Sequence, residues 1–292
     1  MRILICSDGM PAADNATRIG GVLAAASRAE TTLLGIAEKP VDEMPLREAV
    51  ETQADLLKKE GVTPRVVIGS GEPVREILNL TEVEAYDLVV IGSRRTRTTG
   101  LYWRTQRTFE VIKAIPPPVL VAIGEGTEFK RLLVCTGGKE FIAAALEITG
   151  ALAKALGAGV TLLHVMAEPP ALYADLVEME EDLDLLLESK SELGANLRRQ
   201  KQILEQLGVT TEVRIRHGIV VDEVLKEARK GNHHLIVTGS SQGCGMVRHY
   251  VMGDLTRVIL NRAQCPVLVA RSHTAPRVSL LASFKRLFAR SS

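Results

Sequence analysis

The feature that narrows this chain most is an internal repeat. Residues 2–6 read RILIC and stop at Ser7-Asp8-Gly9; residues 131–135 read RLLVC and stop at Thr136-Gly137-Gly138. Cys6 and Cys135 are 129 positions apart, as are Leu33 in TTLLGIAE and Leu162 in VTLLHVMAE. Further along the offset becomes 147, with Gly71 of SGEPVREIL against Gly218 of HGIVVDEVL, and LVVIG at 88–92 against LIVTG at 235–239. The phrase PVLVA closes the pattern at 118–122 and again at 266–270, an offset of 148. A 292-residue chain made of two matching halves, joined near Gly124–Lys130, accounts for all of these matches.

Each half alternates short Val/Ile/Leu-rich runs with helical stretches. In the first half, strands at 2–6, 31–37, 64–68, 87–91 and 118–122 alternate with helices at about 12–29, 43–60, 72–83 and 104–114. Strands that are apolar almost throughout, separated by helices, imply a parallel sheet covered on both faces. The expected organisation is one domain over 1–125, a second over 128–271 and a tail over 272–292.

The stretch 235–271 is the most informative. Leu235–Thr238 reads as a buried strand ended by Gly239. Gly243 and Gly245 mark places where the backbone turns sharply or approaches a ligand closely. Gly253-Asp254 then opens a helix with Leu255, Val258 and Ile259 at core-facing spacing, and Pro266 sets up the last strand. A loop of N–H groups leading into a helix N-terminus can bind phosphate. Asp254 is also a good helix N-cap, which is its structural role.

This segment resembles the C-terminal half of a universal stress protein domain. ATP-binding members carry Gly, two residues, Gly, nine residues, Gly and then Ser or Thr, followed by a helix and a CPVLVV-like strand. Here three residues separate Gly239 from Gly243, nine separate Gly243 from Gly253, and Asp254 stands where Ser or Thr is usual. The resemblance implies an α/β fold of two tandem open parallel-sheet sandwiches, five strands each, like those of the adenine nucleotide alpha hydrolases. It also implies dimer-like pairing through the last strands, either between two copies or between the two halves of one chain.

What the resemblance implies for a nucleotide site divides between the halves. The family's aspartate after the first strand corresponds to Asp8; the second half has Gly137 there, flanked by Thr136 and Gly138. The phosphate loop shows the reverse, since the second half keeps its glycines while the first reads GSRRTRTTGLYWRTQRTF, with Gln106-Arg107 set against Gly253-Asp254. The expected nucleotide-binding residues are Thr136, Gly137, Gly239, Ser240, Ser241, Gly243, Gly245, Gly253, Asp254 and Leu255. The ligand would be ATP, ADP or AMP, with Mg where Asp254 would otherwise repel phosphate. Asp8 with Arg94, Arg95 and Arg97 forms a second candidate anion contact in the first half, against which stands a solvated charged surface.

The remaining features bound the alternatives. A net charge of +1 gives no reason to expect nucleic acid as a partner. No run of about 18 apolar residues and no basic start followed by an apolar stretch is present, so a cytoplasmic protein is expected. None of the four cysteines forms a CxxC pair, and no metal site is expected. Over 171–207, apolar residues recur in steps of four and three. That pattern fits either a heptad arm of roughly 55 Å reaching a partner, or a long second helix lying on its own sheet and broken at Gly194.

In the tail, Leu280, Leu281, Phe284, Leu287 and Phe288 share a helical face with Lys285, Arg286 and Arg290 beside it. This suits a membrane surface, an acidic protein partner or a weak dock on the chain itself. A regulatory, stress-response nucleotide binder is the leading reading. A nucleotide-independent scaffold using 171–207 and the tail is the rival, and a slow ATPase stands third because no positioned base is visible.

Overall fold

The computed structural model describes residues 1–9, 11–92, 106–137, 143–167, 183–242, 250–251 and 253–271. The apolar runs of the first half form strands β1 (Arg2–Ser7), β2 (Glu30–Ala37), β3 (Arg65–Ser70), β4 (Leu88–Gly92) and β5 (Val119–Ala122). Between them lie helices α1 (Pro11–Ser27), α2 (Glu43–Lys59), α3 (Pro73–Val83) and α4 (Gln106–Ala114). The second half repeats this with β6 (Arg131–Thr136), β7 (Gly159–Met166), β8 (Thr211–His217), β9 (Leu235–Gln242) and β11 (Val267–Arg271), and adds the short β10 (Tyr250–Val251). Its helices are α5 (Ala143–Leu156), α6 (Leu183–Glu188), α7 (Glu192–Gln206), α8 (Val220–Lys230) and α9 (Asp254–Arg262).

The two expected sandwiches join edge to edge. The strand order is β3-β2-β1-β4-β5-β11-β9-β6-β7-β8, with β10 added on β9. Pairing within each half is parallel apart from β10 on β9, and the junction is antiparallel: Val119 opposes Val269, Leu120 opposes Leu268 and Val121 opposes Val267. One core lies between the sheet and α1, α2, α5 and α7, and the other under α3, α4, α8 and α9; both cross the junction without a break. Because the junction is antiparallel, the C-terminal ends of the two sets of parallel strands face opposite edges of the sheet.

Arg271 locks this junction. Its side chain is only 1% exposed, at the end of β11. Its Nε donates to the carbonyl of Pro117 at 3.3 Å, and its Nη2 donates to those of Ile115 at 3.1 Å and Ile112. Prolines 116–118 cannot continue α4 and carry no N–H, so this helix end needs donors from elsewhere. The guanidinium supplies them from the other half, and its positive charge suits a helix C-terminus. Gly124, with φ +76, makes the linker's close approach: a Cβ there would sit 2.6 Å from the Gln264 carbonyl oxygen.

Over 183–207 the pattern forms helices lying on their own sheet, while residues 171–182 fall outside the described residues. The chain is not one continuous helix there, because α6 stops before Ser189 and Ser191 starts α7 as its N-cap, accepting from the Gly194 N–H at 3.1 Å. The break therefore lies at 189–191, and Gly194 sits inside α7. Leu197, Gln200 and Leu204 are buried, so their stripe is used within the domain.

The far edge carries a buried polar cluster. Glu227 of α8, 3% exposed, meets Arg214 at 2.6 Å and Arg216 at 2.8 Å on β8. The His233 ring lies 3.2 Å from the Glu227 carbonyl through Nδ1 and 3.0 Å from Thr161 Oγ1 through Nε2.

Two outcomes follow from these buried polar groups. Arg271→Met should cost about 1–3 kcal/mol by leaving buried carbonyls without donors. It would be read as a lower urea midpoint, and Arg271→Lys should recover part of the loss. Burial holds His233 below its ordinary pKa of 6.5, so the unfolded chain binds a proton first. Its contribution to stability, present above about pH 6.5, is lost as the pH falls below that value; urea melts on His233→Gln should show a weaker acid-side loss.

Candidate functional site

In an open α/β sheet, ligands bind beyond the C-terminal strand ends where the strand order reverses. In the second half that point lies between β6 and β9. Their pairing runs Leu132–Leu235, Leu133–Ile236 and Val134–Val237, and then stops, although both strands continue. The equivalent strands β1 and β4 stay paired one step further, through Cys6–Ile91. Pairing at the second half's switch point therefore ends one residue earlier, before Cys135 and Thr238.

The residues around this point leave room for a ligand. Among the described residues, Cβ atoms built on Gly137, Gly239 or Gly253 would meet nothing within 4 Å. Gly253 is the N-cap of α9, with φ −60 and ψ 155, and as a glycine it gives the helix no side-chain cap of its own. The first N–H groups and the dipole of a helix start of this kind attract an anion. Thr256 Oγ1 donates to the Gly239 carbonyl at 3.4 Å, tying the helix start to β9. Thr238 Oγ1 is buried with no hydrogen-bond partner among the described residues.

Several expectations need correction here. Gly239 does not end its strand: β9 continues to Gln242, pairing Gly239 with Ala270, and Ser241 and Gln242 with Val251 and Tyr250 of β10. Ser241-Gln242 and Tyr250-Val251, on either side of residues 243–249, thus form a short antiparallel pair. Asp254 is the first residue of α9 and not its cap. Of the apolar residues on α9, Leu255 and Val258 are exposed, whereas Thr256, Ile259 and Leu260 are buried. Helices α4 and α9 match at an offset of 148, with Thr108 on Thr256 and Ile112 on Leu260, all buried. Asp254 therefore corresponds to Gln106, and Leu255 to Arg107. Gly243 and Gly245 lie outside the described residues, as do Arg94, Arg95, Arg97 and the 272–292 tail.

The first half fills the same region with its own charges. Arg107, at the start of α4, forms a two-pronged ion pair with Glu38 just after β2, including Nη2 to Oε2 at 2.9 Å. This pairing raises the arginine's pKa. The second half has Ala167 in place of Glu38. Asp8 lies exposed after β1, and Gly9, with φ +70, packs its turn near Leu46 of α2.

His164 acquires a role that its sequence context did not reveal. Its Nδ1 lies 2.9 Å from the Thr136 carbonyl and donates to it, fixing the end of β6 beside Gly137. The equivalent position in the first half is Gly35. Thr238, Glu38 and His164 all differ from their repeat partners, Ile91, Ala167 and Gly35, and that comparison is the sequence signal that could have picked them out.

The chain matches the description of the universal stress protein family at residues 1–122 and again at 128–271. Over 144 residues it is 26% identical to a universal stress protein of Methanocaldococcus jannaschii, spanning 49% of this chain and 82% of that protein. Over 148 residues it is 27% identical to universal stress protein YxiE of Bacillus subtilis, spanning 49% of this chain and 99% of that one. A solved universal stress protein from Archaeoglobus fulgidus shares the fold with a TM-score of 0.70 at 18% identity, covering 93% of this chain and 98% of that one.

Cys6 and Cys135 mark equivalent positions under the two strand ends. Burial pushes both thiols up to about 12, with Cys265 adding to the effect at Cys135. Iodoacetamide at about pH 8 should leave both unlabelled in the folded protein and label them after denaturation, as read by peptide mass spectrometry.

Proposed function

The chain belongs to the universal stress protein family, and we propose that it is a regulatory protein holding a single adenine nucleotide in the crevice between β6 and β9. The observation that carries this reading is the early end of that pairing beside three glycines with no neighbour at their Cβ positions among the described residues, one of them starting a helix. The adenosine part would lie against Thr136 and Gly137. The phosphates would lie along the backbone of Gly239, Ser240 and Ser241 and at the first N–H groups of α9, around Gly253, Asp254 and Leu255, with Gly243 and Gly245 completing the loop.

The chain's own groups fit such a ligand. Glycines let backbone N–H groups approach a phosphate, and the buried Thr238 hydroxyl, without a partner among the described residues, offers a hydrogen-bonding group where the pairing ends. The exposed Asp254 carboxylate would repel a bare polyphosphate, so a divalent cation such as Mg would come with the nucleotide. In the first half the Glu38–Arg107 pair already sets a carboxylate and a guanidinium together, which supports one occupied site per chain. Asp8 with Arg94, Arg95 and Arg97 is proposed as a separate, weaker anion contact.

The scaffold reading loses support from the 183–207 segment, whose buried stripe is spent on its own sheet. Chromatography and mass spectrometry of the supernatant from denatured purified protein should identify a bound adenine nucleotide. Gly253→Val should remove it while leaving the circular dichroism spectrum and melting temperature close to the parent's. Equal nucleotide content in the two proteins would sink the assignment.

A further inference from the structure

The two halves meet across the junction through residues that differ on its two sides. Under the 148 offset, Phe109 of α4 and Arg257 of α9 are equivalent positions, and they face each other. The Arg257 guanidinium carbon lies 5.3 Å from the centre of the Phe109 ring. Arg271, which donates to the carbonyls at the end of α4, has Ile123 as its counterpart. The end of α4 that receives it carries Ala114, whereas the matching position on α9 is Arg262.

We propose that these positions form a pairing code: the central sheet edge accepts the opposite half of a chain and rejects a like half. The partner this surface fits is therefore the other half of the same chain and not a second copy of either half. The inference does not depend on nucleotide binding.

Equivalent positions oppose each other when two like halves pair about a two-fold axis. Two second halves would set Arg257 against Arg257, replacing a cation–ring contact with like charges in close approach. They would also bring each Arg271 to a helix end bearing Arg262, a second arginine whose charge Asp222, 2.8 Å away, offsets only in part. Two first halves would keep Phe109 against Phe109, but the carbonyls of Ile112, Ile115 and Pro117 would be buried facing Ile123, which has no donor to offer. Only the mixed pairing gives the ring a cation and the helix end its guanidinium.

A short tether alone raises the local concentration of one half around the other, so the test must cut it. Residues 124–128 are exposed, and a Cβ on Gly126 would meet nothing within 4 Å, so a protease site can be inserted after Gly126 in the full-length chain. After folding and cleavage, native mass spectrometry should find one complex of both fragments near the intact mass of 31.7 kDa, allowing for the insert. This should persist after prolonged incubation and dilution. Free fragments, or like pairs in statistical proportion, would overturn the proposal.

The same cleaved chain carrying Arg257→Phe, an exposed position, should show paired second halves increased by roughly fivefold. Arg262→Ala should act in the same direction. If neither change raises the like pairs, the code does not reside in these residues.

Discussion

Three residue pairs across the sheet, Val119–Val269, Leu120–Leu268 and Val121–Val267, support the rest of the architecture. Each half alone would end in an apolar edge strand with a row of unpaired backbone groups, a template for unwanted pairing. Placing β5 against β11 satisfies both edges at once and lets the two cores run through the junction. It also fixes orientation: antiparallel contact turns the strand ends of one half away from those of the other. The C-terminal end of α4 consequently reaches the sheet edge that carries the second half's crevice, and β10 lies against this helix.

Much of this plan can be read from the repeat. Near-continuous Val and Ile runs at regular intervals leave little choice but a covered parallel sheet, and two copies of PVLVA at the ends point to where the halves join. What escaped was register at the level of one residue. A helix turns by about 100° per residue, so setting Gly253-Asp254 on Gln106-Arg107 rotates every predicted face. Leu255 and Val258 look apolar enough for a core, yet the helix turns Thr256, Ile259 and Leu260 to the sheet, and Thr108 takes the matching buried place in the first half. Hydrophobicity ranks residues; packing decides which angle faces the sheet.

The 171–207 pattern shows a second limit of a different kind. Steps of four and three define an apolar stripe but not what covers it. Ser191, accepting the Gly194 N–H, starts a new helix and folds the stripe back on its own domain. At the candidate site the glycines were legible as a motif, while the crevice was not. Its position depends on where two strands stop pairing, a property of the β6–β9 contact that neither strand states alone. Thr238 and His164 become meaningful only at that level: the one is a buried hydroxyl where an aliphatic residue would fit, the other a ring holding the Thr136 carbonyl.

The departures from repeat symmetry fall at the junction and at the candidate site. Arg271 faces Ile123 across the alignment, Arg257 faces Phe109, Asp254 faces Gln106 and Thr238 faces Ile91, while the buried strands between them remain interchangeable in character. A pair of identical subunits could not hold such differences, since any change at a two-fold contact is made on both sides at once. Joining the halves in one chain removes that constraint. One half can then fill its strand-end region with the Glu38–Arg107 pair and offer the end of α4 to its neighbour's Arg271, while the other begins its last helix on a glycine. The linker is therefore more than a tether: covalent joining makes unequal halves heritable as a unit, and the asymmetry of the junction follows from it.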